Sequence, residues 1–365
     1  MRPPVHARID LGALAHNLAL ARTAARGAKI MAIIKADAYG HGLVTVARAL
    51  DADALGVARL DEALALREAG VTRRIAVLEG YTRRDELELL ARHRLEPVVH
   101  QEGQIALLEE AEGVRLPAVW LKVDTGMHRL GFPPERARAA WARLDALRPR
   151  LGGIVLMSHL ARADDRADET TAAQLARFDE AVGGLPGERA IANSGGLLGW
   201  PEARSDWARP GIMLYGVSPF HDQHASELGL RPVMTLCSRV IAVQSCKAGE
   251  SVGYGGSYTC PTDMTIGVVA IGYGDGYPRQ APNGTPVLVN GRRAVLVGRV
   301  SMDMIMVDLR GHPPVQPGDP VVLWGEGLAV EEVARHAGTI PYDLLCGVSR
   351  RVPRVVAAPH ARVVA

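Results

Sequence analysis

Lys35 closes the apolar run Met31-Ala32-Ile33-Ile34 and opens Ala36-Asp37-Ala38-Tyr39-Gly40-His41-Gly42. A lysine delivered by an Ile-Ile pair into a dry setting has its ammonium disfavoured and its pKa lowered toward that of a usable amine. Such an amine suits Schiff-base chemistry with a carbonyl compound. Other polar residues close later apolar runs: Lys122, Asp124 and Arg129, then Ser158 and His159, Asn193 and Ser194, and Arg209. Ser194-Gly195-Gly196 and Gly211-Ile212 are turns that can offer backbone amides to phosphate. Each feature alone has a plainer reading. Lys35 could pair with Asp37 or reach solvent, His159 could be a structural histidine, Arg209 a surface ion pair, and each glycine turn only a turn. Metal ligation is set aside, because no HxH or HExxH spacing occurs and the strand-end carboxylates are isolated.

The elements that must position these residues are legible as a rhythm. From residue 30 to about 216, eight short apolar runs recur, at 30–36, 54–58, 74–80, 95–99, 118–124, 152–160, 190–194 and 207–216. Most are followed by a longer Ala/Leu/Arg/Glu segment with helical periodicity. Eight strands alternating with helices predict an α/β fold, a (β/α)8 TIM-type barrel, whose site lies at the carboxyl ends of the strands. The polar residues above fall at those ends. The eighth run is the weakest, being interrupted by Pro210. Beyond residue 230 the texture changes to closely spaced β-rich segments at 232–243, 265–271, 286–297, 304–309 and 320–323, with Asn290-Gly291 as a hairpin signal and one short helix at 330–336. Two domains are expected: a barrel over 1–230 and a mainly antiparallel β domain over 231–365.

Composition narrows the function classes. Of 365 residues, 48% are hydrophobic and 22% charged, which is ordinary for a globular chain, and the formal charge of +2 gives no reason to expect a nucleic-acid or membrane-surface partner. The four cysteines, Cys237, Cys246, Cys260 and Cys346, have no CxxC spacing. No apolar run approaches a membrane span, and charged residues break the first ten positions, so a cytoplasmic protein is expected.

The run from Lys35 to Gly42 resembles the pyridoxal-phosphate lysine motif of alanine racemases. The resemblance continues through Lys122-Val123-Asp124-Thr125-Gly126-Met127-His128-Arg129-Leu130-Gly131, Asn193-Ser194, Arg209-Pro210-Gly211-Ile212-Met213-Leu214-Tyr215-Gly216 and Val252-Gly253-Tyr254-Gly255. Ile271-Gly272-Tyr273-Gly274-Asp275-Gly276 and Gly298-Arg299-Val300-Ser301-Met302-Asp303 complete it, so nearly the whole chain is covered. The resemblance implies pyridoxal 5'-phosphate joined to Lys35, its phosphate held by Tyr39, Ser194 and the amides of Gly211 and Ile212, and its ring nitrogen facing Arg209. It implies two bases, Lys35 for the D-alanine proton and Tyr254 for the L-alanine proton, because racemisation needs a proton acceptor on each face of Cα. A hydrogen-bond chain from Tyr254 through His159 to Arg209 would tune the phenol, and Arg129 would orient the substrate carboxylate. Lys122 is often carbamylated in the family, making an anion that holds this arginine. Tyr254 and Met302 would reach the site from the other subunit of a head-to-tail homodimer. The family tyrosine before the carboxyl-terminal Arg-Val-Pro is replaced by Arg350.

Three rivals remain in view. They are a racemase for serine or a basic amino acid, a pyridoxal-phosphate decarboxylase of similar architecture, and a non-catalytic carrier of the cofactor. The Tyr254 and Met302 segments disfavour the second, and the 135 residues after the barrel disfavour the third. The product would supply cell-wall peptidoglycan or serve alanine catabolism.

Overall fold

The computed structural model describes residues 3–357. The chain enters through a short strand, β1 (His6–Ile9), and the helix Leu11–Ala25, whose N-cap Asp10 accepts from the Ala13 amide at 2.9 Å. Eight strands then alternate with helices: β2 (Lys29–Ile33), β3 (Ala54–Val57), β4 (Arg74–Val77), β5 (Glu96–Val99), β6 (Val119–Lys122), β7 (Ile154–Met157), β8 (Glu188–Ala190) and β9 (Trp207–Ala208). They form a closed parallel barrel in chain order, with β9 returning to β2 through Lys29–Trp207 and Ile30–Ala208. Every residue of β3, β5, β6 and β7 is buried, because the helices cover one face and the barrel interior fills the other. The weak eighth run is a strand for two residues only. Pro210 ends it, and a 3-10 turn over Ile212–Tyr215 takes the rest.

The remaining strands are β10 (Met234–Cys246), β11 (Ser251–Val252), β12 (Tyr258–Thr259), β13 (Met264–Val269), β14 (Pro286–Val289), β15 (Arg292–Leu296), β16 (Ile305–Asp308), β17 (Pro320–Trp324) and β18 (Arg354–Val356). β11 and β12 make a small hairpin, and the others assemble with β1 in the order β13-β16-β15-β14-β17-β10-β1-β18. Asn290 and Gly291 join β14 to β15 with φ of 50° and 74°, the pair of positive angles that a two-residue hairpin needs. Helices Val330–His336 and Pro341–Gly347 follow β17, one more helix than the sequence pattern suggests.

One segment sits elsewhere than expected. β1 falls inside the 1–230 stretch read as barrel, yet it pairs antiparallel with β10 (Ala7 opposite Leu236) and parallel with β18 (Ala7 opposite Arg354). Four residues alternating between half-buried and buried are compatible with any sheet, and nothing local to them names the partner.

Candidate active site

A cavity of about 1080 Å³ opens at the carboxyl ends of the barrel strands, walled partly by the two late helices. Lys35, Tyr39, Lys122, Arg129, His159, Ser194, Arg209, Gly211 and Ile212 all line it. The barrel residues that the resemblance assigns to cofactor and substrate are therefore gathered there.

Lys35 emerges just after β2 into an unusual piece of backbone. Ala36, Asp37, Ala38 and Tyr39 have φ between 53° and 55°, a full left-handed turn built without glycine until Gly40. Left-handed helical geometry costs an L-residue roughly 1–2 kcal/mol, so four in a row store roughly 4–8 kcal/mol. Specific bonds hold the turn. Gly42 N–H donates to the Asp37 carbonyl at 2.9 Å, and the Asp37 carboxylate accepts from the Leu43 amide at 2.7 Å. His41 Nδ1 donates to the carbonyls of Tyr39 and Ala38 at 2.8 and 3.0 Å; burial lowers its pKa to about 4, so the ring is neutral. From the other end of the chain, Arg354 Nε donates to the Gly40 carbonyl at 3.0 Å. The turn swings Tyr39 back over the cavity onto Tyr215, ring centroids 4.6 Å apart.

The electrostatics favour uncharged amines. Burial, then the Arg129 guanidinium, pulls the Lys35 pKa below its ordinary value against the opposing pull of Glu62, Cys346 and Glu79. Lys122, at the end of β6, is lowered to about 8 by burial and by Arg209 and Arg129. His159 is held well below its usual pKa by burial and by Arg209. Arg209 is lowered only to about 10 and stays cationic.

Arg209 is only half engaged by protein. Its Nη2 donates to the carbonyls of Ser158 and Ile191 at 2.6 and 3.3 Å, while Nη1 is buried without a partner among the described residues. The expected hydrogen-bond chain from Tyr254 through His159 to Arg209 is therefore not made within one chain among the described residues. Gly211 donates its amide to Ser194 Oγ at 2.9 Å, so this N–H is already engaged, whereas Ile212 opens its 3-10 turn with an amide that no backbone carbonyl accepts. Glycine is required at 211: a Cβ there would lie 2.5 Å from the Tyr39 hydroxyl.

Two strand-end residues serve the scaffold instead. Asp124 Oδ1 accepts the amides of Gly126, Met127 and His128, each at 3.0 Å, shaping the loop that presents Arg129. Ser158 bonds to the Val123 carbonyl and Thr125, both at 2.8 Å. Tyr254 and Met302 do not line this cavity. They stand on the β domain with 71% and 53% of their surface exposed.

Sequence reasoning missed Tyr342 and Cys346, which reach the cavity from the helix Pro341–Gly347. Tyr342 tilts against Tyr39 at 5.9 Å, and burial pushes its phenol up to about 12. No local signal marks either residue; only the fold brings residue 342 to residue 39.

Family models for the alanine racemase N-terminal domain and the alanine racemase C-terminal domain match residues 9–219 and 233–356. This chain belongs to the alanine racemase family. It is 51% identical over 356 residues to the alanine racemase of Halorhodospira halophila, covering 97% of this chain and 98% of that one. Its fold is similar to that of the biosynthetic alanine racemase from Pseudomonas aeruginosa, with a TM-score of 0.94 and 47% identity over 98% of this chain and all (100%) of the other. The Bartonella henselae alanine racemase, solved with covalently bound pyridoxal phosphate, superimposes with a TM-score of 0.88 at 30% identity, covering 98% of this chain and 100% of that one. The barrel followed by an antiparallel β domain is thus the architecture of this family. Among the described residues, no helix is long and apolar enough to cross a membrane.

Proposed function

We propose that this chain interconverts L-alanine and D-alanine, using pyridoxal 5'-phosphate held in the cavity at the barrel mouth. The observation that carries this reading is the convergence of Lys35, Lys122, His159, Ser194 and Arg209 from separate strand ends on one cavity, in a chain of the alanine racemase family.

The residues fit the cofactor. The buried, unpartnered Nη1 of Arg209 calls for an acceptor, which a pyridine nitrogen supplies. The hydroxyls of Tyr39 and Ser194 and the amide of Ile212 are suited to a phosphate, with Gly211 leaving room for close approach. When bound, pyridoxal phosphate supplies an aldehyde and an electron-withdrawing ring that loosens the Cα proton. Arg209, cationic and able only to donate, keeps a nitrogen facing it unprotonated and so moderates that withdrawal.

Lys35 provides the amine that holds the cofactor and the base on the D face of the substrate. Tyr254 provides the base on the L face, and Met302 lines the substrate space beside it. Both would come from the partner in a head-to-tail homodimer; their exposure on the β domain, outside this chain's own cavity, supports that arrangement. Arg129 binds the substrate carboxylate. His159, neutral and beside Arg209, shapes the cofactor's surroundings. Lys122, with its pKa near 8, keeps a share of neutral amine available for carbamylation, and the resulting anion would steady Arg129. We place the domain division near residue 230, with β1 returned to the second unit, and the enzyme in the cytoplasm, serving cell-wall synthesis or alanine catabolism.

A chiral assay of the purified protein with pyridoxal phosphate over a panel of L-amino acids tests this. Faster D-product from L-alanine than from serine or lysine is expected; no D-alanine would overturn it.

A further inference from the structure

Two consecutive units of the barrel begin their helices with the same device. After β3 comes Arg59-Leu60-Asp61-Glu62, and after β4 comes Arg83-Arg84-Asp85-Glu86. In each, the arginine side chain pairs with the aspartate two residues on, at 3.0–3.1 Å for Arg59 and 2.9–3.0 Å for Arg83. The glutamate, third in its helix, folds back to accept the amides that precede the first turn: Glu62 Oε2 takes Ala58 and Arg59 at 2.8 and 3.2 Å, and Glu86 Oε2 takes Thr82 and Arg83 at 2.7 and 3.2 Å. This is helix capping, and one carboxylate oxygen suffices for it.

The second oxygen is where the two differ. Glu86 Oε1 meets the side chain of its own neighbour Arg83 at 3.2 Å. Glu62 Oε1 leaves its unit and accepts the amide of Ala36 at 2.7 Å. That N–H belongs to the peptide joining Lys35 to Ala36, the first link of the left-handed turn.

We propose that Glu62 is a positioning residue for Lys35: by holding the peptide immediately after it, Glu62 fixes the direction in which the amine enters the cavity. The assignment rests on Lys35 being the cofactor lysine. Glu62 does not line the cavity and touches neither substrate nor cofactor space. Its effect passes through backbone that is intrinsically strained, where a released peptide relaxes toward right-handed or extended geometry and takes the lysine with it. All three partners of Glu62 are N–H donors, so glutamine is no substitute: its amide nitrogen would confront either Ala36 or the capped pair.

The internal twin provides the control. In the full-length holoenzyme, Glu62→Gln should lower kcat in both directions by about 10- to 10²-fold, the scale of an ångström-level misplacement, with KM changed by less than about threefold. After the cofactor is released with hydroxylamine and pyridoxal phosphate is added back, the visible band reporting covalent attachment should return more slowly by a similar factor. Glu86→Gln removes the equivalent cap and should leave both rates within about twofold of the parent while lowering Tm comparably. Glu62→Asp keeps the anion but shortens its reach by a methylene, and should behave like Glu62→Gln; it also keeps the test open should the glutamine variant fail to fold. Equal behaviour of Glu62→Gln and Glu86→Gln, or full recovery with Glu62→Asp, would overturn the assignment. Lys35→Ala separates this from the functional reading: if that variant still attached the cofactor covalently, Lys35 itself would be the wrong lysine and both would fall.

Discussion

Tyr215 supports Lys35 from beneath: its ring stacks on Tyr39, and its hydroxyl donates at 3.0 Å to the carbonyl of Ile33, two residues before the lysine. Tyr215→Phe preserves the stack and deletes that buried bond. A loss of about 1–3 kcal/mol of stability is expected, the cost of an unsatisfied buried acceptor. Denaturant unfolding of the two proteins measures it, and an unchanged midpoint would show that the Ile33 carbonyl finds another donor.

The buried ammonium of Lys122 makes a pH-dependent prediction. Burial lowers its pKa to about 8 in the folded protein, against 10.5 for a lysine in water. Below pH 8 both states are protonated and the full penalty, on the order of 3 kcal/mol, weakens the fold. Between those two values the unfolded chain binds more protons, so stability rises with pH until the penalty is gone. Lys122→Met removes the group. In bicarbonate-free buffer its advantage over the parent should be greatest below pH 8 and shrink as pH approaches 10.5. A constant advantage would mean that Lys122 titrates normally.

Face specificity can be read by isotope exchange. Tyr254→Phe keeps the ring and removes the phenol, and racemisation should fall by about 10²- to 10⁴-fold, the usual worth of a positioned base. Lys35 remains, so in deuterated water the variant should label D-alanine at Cα much faster than L-alanine. Equal loss from both enantiomers, with cofactor still bound, would remove Tyr254 from the role proposed here.

Shared sites can be tested by complementation. Mixing Lys35→Ala subunits with Tyr254→Phe subunits should restore activity, because one of the two sites in a hybrid dimer carries both bases. Subunit exchange would be verified with differently tagged chains. No recovery despite exchange would argue for sites built from one chain.

The barrel was legible because most of its strands are short, apolar and followed by a helical pattern, and the strand-end rule then located Lys35, Lys122, His159, Ser194 and Arg209 on one rim. What stayed hidden depends on contacts distant in sequence. Tyr342 meets Tyr39 across some three hundred residues, and β1 finds both its partners beyond residue 230. The left-handed turn was hidden for another reason. Ala-Asp-Ala-Tyr has no glycine to announce positive φ, and its geometry is held by the Asp37 carboxylate within the turn and by His41, Glu62 and Arg354 outside it. Arg209 was placed correctly at the rim, but its carbonyl partners follow from barrel closure, which no linear pattern reveals.

β1 lies between β10 and β18, with the Ala7 amide on the Pro353 carbonyl and the Ala357 amide on the Ile9 carbonyl. On the ribosome, residues 6–9 therefore emerge long before either neighbour exists, while the barrel can close as soon as residue 208 is clear. The sheet must wait for nearly the whole chain, and until then β1 is an unpaired edge open to wrong partners. Because β1 and β18 run parallel, a linker long enough to return along the strand, with new termini cut in the exposed turn around Lys247–Glu250, would place β18 and β1 together early in synthesis. Such a circular permutant would pair β1 with β18 before the barrel is made, yet β10, which joins that pair to β17, would become the last strand to emerge.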